Sequence, residues 1–177
     1  MKDFKTFINE NLLVPRNLEG RKEKLKQMNI KLLSQEVIDG DLDLDESFMD
    51  IDPKFVKINK VNGDVYLSGQ KWTEIPEWLK DVEINGSFCC AFNKLKSLKN
   101  CPQKIGSIFD CSFNRLKSLE GCPENVGDFY CQYNKLTSLE GCPENVGGDF
   151  QCSGNKIELK LPDYVKLKGK FKNKINK

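Results

Sequence analysis

FCCAFNKLKSL (residues 88–98), FDCSFNRLKSL (109–119), FYCQYNKLTSL (129–139) and FQCSGNKIELK (150–160) align with one another. Their asparagines, Asn93, Asn114, Asn134 and Asn155, recur at intervals of 21, 20 and 21 residues. The spacers between them are KNCPQKIG, EGCPENVG and EGCPENVGG. A period of this length marks a repeat architecture, in which one unit cannot bury its apolar residues alone but stacked units share a core. Within each unit the Phe-x-Cys stretch alternates. It reads as a short strand with Phe and Cys turned inward and the residue between them turned outward.

Toward the N-terminus, VNGDVYLSGQKWTEIPEWL (61–79) carries the same Gly, apolar alternation and Pro turn, and VIDGDLDLDESFMDIDPKFV (37–56) does so more loosely. VKLKGKFKNKI (165–175) reads as a last, incomplete coil. Glycines at 40, 63, 86, 106, 127, 147 and 169 count about seven coils of 20–23 residues. Strands stacked about 4.8 Å apart then build a parallel sheet roughly 30 Å long. Coils this short leave no room for a full helix on the far side, so extended or 3₁₀ segments are expected after Pro76, Pro102, Pro123 and Pro143.

The spacing Val126-x-x-Phe129-x-Cys131-x-x-Asn134-x-Leu136-x-x-Leu139 resembles the leucine-rich repeat, with Phe and Cys in place of two leucines. The Cys-Pro-x-x-Val that follows resembles the Leu-Pro-x-x-Leu of short repeats known from secreted bacterial effectors and phage proteins. The resemblance spans roughly residues 37–170 and implies a leucine-rich-repeat solenoid. It also implies that Asn93, Asn114, Asn134 and Asn155 form a structural ladder, each amide bonding the backbone of adjoining turns.

Residues 1–36 do not repeat. Arg21 to Gln35 reads as an amphipathic helix with Leu25, Met28 and Leu32 on one face, extended by Leu18, and serves as the cap that a solenoid's first coil needs. The division expected is an N-terminal helical segment and cap (1–36), a solenoid (37–165) and a Lys-rich capping strand and tail (166–177). In that tail the alternation of lysines discourages edge-to-edge pairing. Phe4, Phe7, Ile8 and Leu12 give a second short amphipathic pattern. Here MKDFKTFINE resembles the capsid-targeting leader of T-even-type phage internal head proteins, in which a protease cuts after Ile-x-Glu or Leu-x-Glu. Ile8-Asn9-Glu10 matches, which implies cleavage after Glu10 and residues 1–10 as a removable leader.

Composition narrows function. The chain has 177 residues, enough for one domain with a core, and no apolar run long enough to span a bilayer, so no membrane role is expected. Eight cysteines without a visible secretory signal suit reduced thiols in a cytoplasm. Six lysines in residues 166–177 leave 22 basic against 26 acidic residues elsewhere, a body charge of −4 within a total of +2. There is no histidine, which removes Ser-His-Asp and Cys-His catalysis and every His-containing zinc site. Closely spaced Cys-x-x-Cys pairs are absent too. No enzyme, cofactor or metal is expected; the nearest catalytic candidate is a thiol transferase using Cys89.

What remains is binding. The outward strand positions are Cys89, Asp110, Tyr130 and Gln151. Phe92, Phe113 and Tyr133 precede the asparagines, and Lys94, Arg115, Lys135 and Lys156 follow them. Aromatic and basic columns side by side suit a protein partner, since Tyr and Arg are common hot spots. They could also stack and neutralise a nucleic acid strand, but Glu120, Glu124, Glu140 and Glu144 on the turns disfavour it. The expected function is a monomeric protein-binding module, phage-encoded and active in the host cytoplasm. The alternative is an internal head protein packaged through its leader.

Overall fold

A two-sided repeat unit can satisfy its core and its backbone together only if the next copy lies parallel beside it. The computed structural model does this over residues 18–48, 51–69, 71–156 and 158–173, which are the residues it describes. Seven two-residue strands, Leu42–Asp43, Val65–Tyr66, Phe88–Cys89, Phe109–Asp110, Phe129–Tyr130, Phe150–Gln151 and Phe171–Lys172, form one parallel sheet in chain order. Successive strands pair in register at intervals of 23, 23, 21, 20, 21 and 21 residues. The chain is therefore a parallel β-solenoid of the leucine-rich-repeat-like kind, with six turns between its first and last rungs and, among the described residues, one helix on the N-terminal side.

Each coil also contributes to a second side, which the sequence reading does not anticipate. Val37–Ile38, Lys60–Val61, Glu83–Ile84 and Lys104–Ile105 form a four-stranded parallel sheet, and Asn125–Val126, Asn145–Val146 and Lys166–Leu167 a three-stranded one. Three residues link the two strands of a coil at the corner, except that only Gly127 and Asp128 lie between Val126 and Phe129. Neighbouring corners touch through their backbones: a Cβ on Gly86 would lie 2.6 Å from the carbonyl oxygen of Gly63. The hydrogen-bonded corner column runs Gly40, Gly63, Gly86, Ser107, Gly127, Gly148, Gly169. It therefore takes Ser107 and Gly148 where the spacing of glycines alone suggests Gly106 and Gly147.

The core is built from columns. Phe88, Phe109, Phe129 and Phe150 are completely buried, as are Cys90, Cys111, Cys131 and Cys152 two residues on. In the 23-residue coils the same pair of positions holds Leu42 with Leu44 and Val65 with Leu67, also buried. Two medium side chains, or one large and one small, fill the same layer, as close packing demands. The prolines divide along the same line. Glu77–Asp81 forms a 3₁₀ segment after Pro76, in a 23-residue coil, but no helix follows Pro102, Pro123 or Pro143. In the shorter coils a single bend residue, Gln103, Glu124 or Glu144, links the Pro to the second-side strand.

The helix spans Leu18–Leu33. Its docking face differs from the expected one: Leu25, Met28 and Leu32 are half-buried, while Asn29 and Leu33 are fully buried. Asn29 Nδ2 donates to Ser47 Oγ (2.6 Å), and the carbonyl of Leu33 accepts from the amides of Lys57 and Ile58. A polar residue at the contact hides this face from a reading based on apolar spacing. At the other end, Lys166–Leu167 and Phe171–Lys172 complete the last rung of both sides, so residues 166–173 continue the solenoid.

Burial pushes the thiols of Cys90, Cys101, Cys111 and Cys131 upward, and that of Cys152 to about 12. In the unfolded chain these thiols ionise near the ordinary value of 9. Above that pH the unfolded state releases protons that the folded state keeps, so stability falls as pH rises. Under reducing conditions the urea midpoint should therefore decline from about pH 9 upward, each thiol contributing about 1.4 kcal/mol per pH unit. Cys111→Ala and Cys131→Ala should start less stable but decline less steeply. An unchanged slope would refute the account.

Candidate binding face

Three polar ladders fix the backbone on which the outward residues stand. The first is the Asn ladder. Asn114 Oδ1 accepts from Leu95 N–H (3.0 Å), and its Nδ2 donates to the carbonyls of Cys90 (2.9 Å), Cys111 (3.2 Å) and Ser112 (3.1 Å). Asn93, Asn134 and Asn155 repeat the pattern, accepting from Trp72, Leu116 and Leu136. All four are buried, and each satisfies turn backbone that no strand reaches.

The second ladder stands at the corner before the main strand. Asp41 Oδ1 accepts from Asp64 N–H (2.8 Å), Asp64 from Ser87 N–H (2.6 Å), Asp128 from Asp149 N–H (2.7 Å) and Asp149 from Lys170 N–H (2.9 Å). The bond to Ser87 holds the Asp64 carboxyl below its usual range, and the bond to Lys170 does the same for Asp149. The signal for these aspartates is the recurring Gly-Asp before an apolar residue at 40–42, 63–65, 127–129 and 148–150. The third ladder lies on the second side, where Lys60 Nζ and Lys104 Nζ reach Glu83 at 2.7 and 3.4 Å and Asn145 Nδ2 donates to Asn125 Oδ1 (2.8 Å).

On the outward face of the main sheet, Cys89, Asp110, Tyr130 and Gln151 lie in one row, each partly buried. Tyr66 and Lys172 extend the row in neighbouring rungs. Tyr130 Oη donates to Asp128 Oδ2 (2.9 Å), and burial together with that carboxylate raises the phenol to about 12. Tyr66 Oη donates to Asp64 Oδ2 (2.8 Å), which raises it to about 12 as well. Asp110 Oδ1 accepts from Ser112 N–H (2.9 Å), and Cys89 Sγ accepts from Ser68 Oγ (3.0 Å). The rings and carboxylates of this face are thus tied to their own and adjacent coils before any ligand arrives.

Beside this row the structure brings Phe92, Phe113 and Tyr133 together as a surface stack. The Phe92 and Phe113 rings are 4.3 Å apart and 10° from parallel, and the Phe113 and Tyr133 rings 4.4 Å and 19°. All three residues are exposed and have left-handed backbone, φ 57°, 53° and 54°. Bulky residues seldom adopt this conformation, which costs on the order of 1–2 kcal/mol. Gly69 and Gly154 occupy the same column in the flanking coils, with φ 72° and 70°. Those glycines are the sequence's mark of a left-handed position. Lys94, Arg115, Lys135 and Lys156 line the next column, all exposed.

The eight cysteines are free thiols, and among the described residues no group of three or more His, Cys, Asp or Glu is placed to hold a metal ion. Among the described residues no helix is long and apolar enough to cross a membrane. The cleavage position after Glu10 lies outside the described residues. Comparison with protein-family models, with curated proteins and with solved structures gives no match.

The left-handed backbone makes a test of the stack's geometry. Ala ordinarily exceeds Gly in stability, but Ala at φ 53° keeps the strain that Gly escapes. Phe113→Gly should therefore be more stable than Phe113→Ala by about 1 kcal/mol in urea denaturation. Equal stabilities, or a more stable Ala variant, would show that the position is not left-handed in solution.

Proposed function

We propose that this chain is a non-enzymatic binding module, phage-encoded and monomeric, that grips a protein partner in the host cytoplasm. Its binding surface is the outward face of the seven-stranded sheet with the aromatic stack beside it. The observation that carries this reading is the stack: three large rings kept at the surface on strained backbone. Backbone strain of this kind collects at functional sites, because folding alone would select against it. Aromatic rings beside Arg115 form the residue combination that dominates protein interfaces, and tethered side chains lower the ordering cost of binding. The phage assignment is supported by the leader-like MKDFKTFINE and the short-repeat resemblance.

A second reading rests on Ile8-Asn9-Glu10: an internal head protein, packaged and trimmed during head maturation. The two readings are separable. For the first, a Phe113→Gly, Tyr133→Gly double variant should retain its circular dichroism spectrum and lose the protein that the wild type captures from host lysate; undiminished capture would sink it. For the second, mass spectrometry of the protein from purified particles should find a chain beginning at Asn11, and absence from particles would exclude it.

A further inference from the structure

The aromatic column has one closed end and one open end. At the closed end, a Cβ on Gly154 would lie 2.6 Å from Tyr133 Cδ1, so the Tyr133 ring already covers that glycine. At the other end, a Cβ on Gly69 would meet nothing within 4 Å among the described residues beyond its chain neighbours. Yet Gly69 has the same backbone role as the ring-bearing residues: its amide bonds the carbonyl of Ala91, as that of Phe92 bonds Ser112 and that of Phe113 bonds Gln132. Phe92, whose second face looks toward this gap, is 60% exposed, against 38% for Phe113 and 42% for Tyr133. Among the described residues the column therefore has a rung with left-handed backbone and a bare ring face beside it, but no ring.

We infer that the gap over Gly69 receives one aromatic side chain from an acidic peptide segment, which stacks on Phe92 as a fourth ring. This deepens the protein-binding reading and rests on it. Charge selects the acidic flanks. Lys71, Lys94, Arg115, Lys135 and Lys156 follow the column in five successive coils, all exposed, and among the described residues none of them forms an ion pair with a carboxylate. Ring spacing selects a peptide over a single-stranded nucleic acid. The three rings already cover one another's faces at 4.3 and 4.4 Å, leaving no slots between them for successive bases. Only one planar group can be added, which suits one side chain in a chain of carboxylates.

The test uses the full chain and the synthetic peptide Glu-Glu-Trp-Glu-Glu carrying 5-fluorotryptophan, followed by fluorine NMR, with Glu-Glu-Ala-Glu-Glu and oligothymidylate as competitors. The Trp peptide should bind, and the Ala peptide should not displace it. Gly69→Phe fills the gap with the protein's own ring at a φ its column neighbours already tolerate, and should weaken binding by roughly tenfold, the worth of one stacking contact. Lys94→Glu with Arg115→Glu, which leaves the column's backbone untouched, should weaken it similarly and serves if Gly69→Phe does not fold. No binding of the Trp peptide, full competition by the Ala peptide, tighter binding of oligothymidylate, or unchanged binding in the folded variants overturns the inference. If Gly69→Phe still captures the lysate protein that the Phe113→Gly, Tyr133→Gly variant loses, the open rung is wrong while the binding reading stands.

Discussion

Four successive coils of this solenoid depend on the amide of one asparagine each, Asn93, Asn114, Asn134 and Asn155. A chain that turns back every 20 to 23 residues must bury part of its turn, and that turn carries N–H and C=O groups no strand can pair. Each of Asn93, Asn114, Asn134 and Asn155 offers one acceptor to the coil before it and splits its donors between that coil and its own. No other uncharged side chain presents both functions at that reach. With the turn satisfied, the strands need be only two residues long, and the core can be a column of Phe beside a column of Cys. Remove the amide and a buried donor and acceptor are stranded, at about 1–3 kcal/mol each.

The aspartate ladder does related work at the next corner, but as a surface device. Its carboxylates accept backbone amides from the following coil and, at Asp64 and Asp128, a tyrosine hydroxyl as well. One residue type thereby links coil stacking to the posture of the outward face. Its carboxylates stand in the coil of Tyr133, at Asp128, and in coils flanking the stack, at Asp64 and Asp149, while Ser87 and Ile108 hold the column beside Phe92 and Phe113.

The columns with a single chemical demand were legible in the sequence. Phe, Cys, Asn and Leu recur because each position tolerates little else, and a fixed period followed from them. The second-side strands were not legible, since two residues show no alternation. The aspartate ladder was obscured because Ser87 and Ile108 interrupt it in the middle coils, where the other repeats are clearest. Phe92, Phe113 and Tyr133 were visible as an outward column, but nothing in an aromatic side chain announces a positive φ; only Gly69 and Gly154 in the flanking coils did. The helix face was misread because Asn29 sits at its centre. The occupant of the outward face is less constrained still, because the fold fixes where those residues stand and not what meets them.

The ladder bonds of Asn114, Asn134 and Asn155 reach one coil back and no further. The contract between coils is therefore local, and it is written in the same words twice: EGCPENVG occurs at 120–127 and again at 140–147. A gene with such a text can gain or lose one coil's worth of codons by misaligned recombination and still encode a chain whose every turn is satisfied. Length is then a quantity that heredity can adjust in whole steps, lengthening or shortening the outward surface without redesigning the interior.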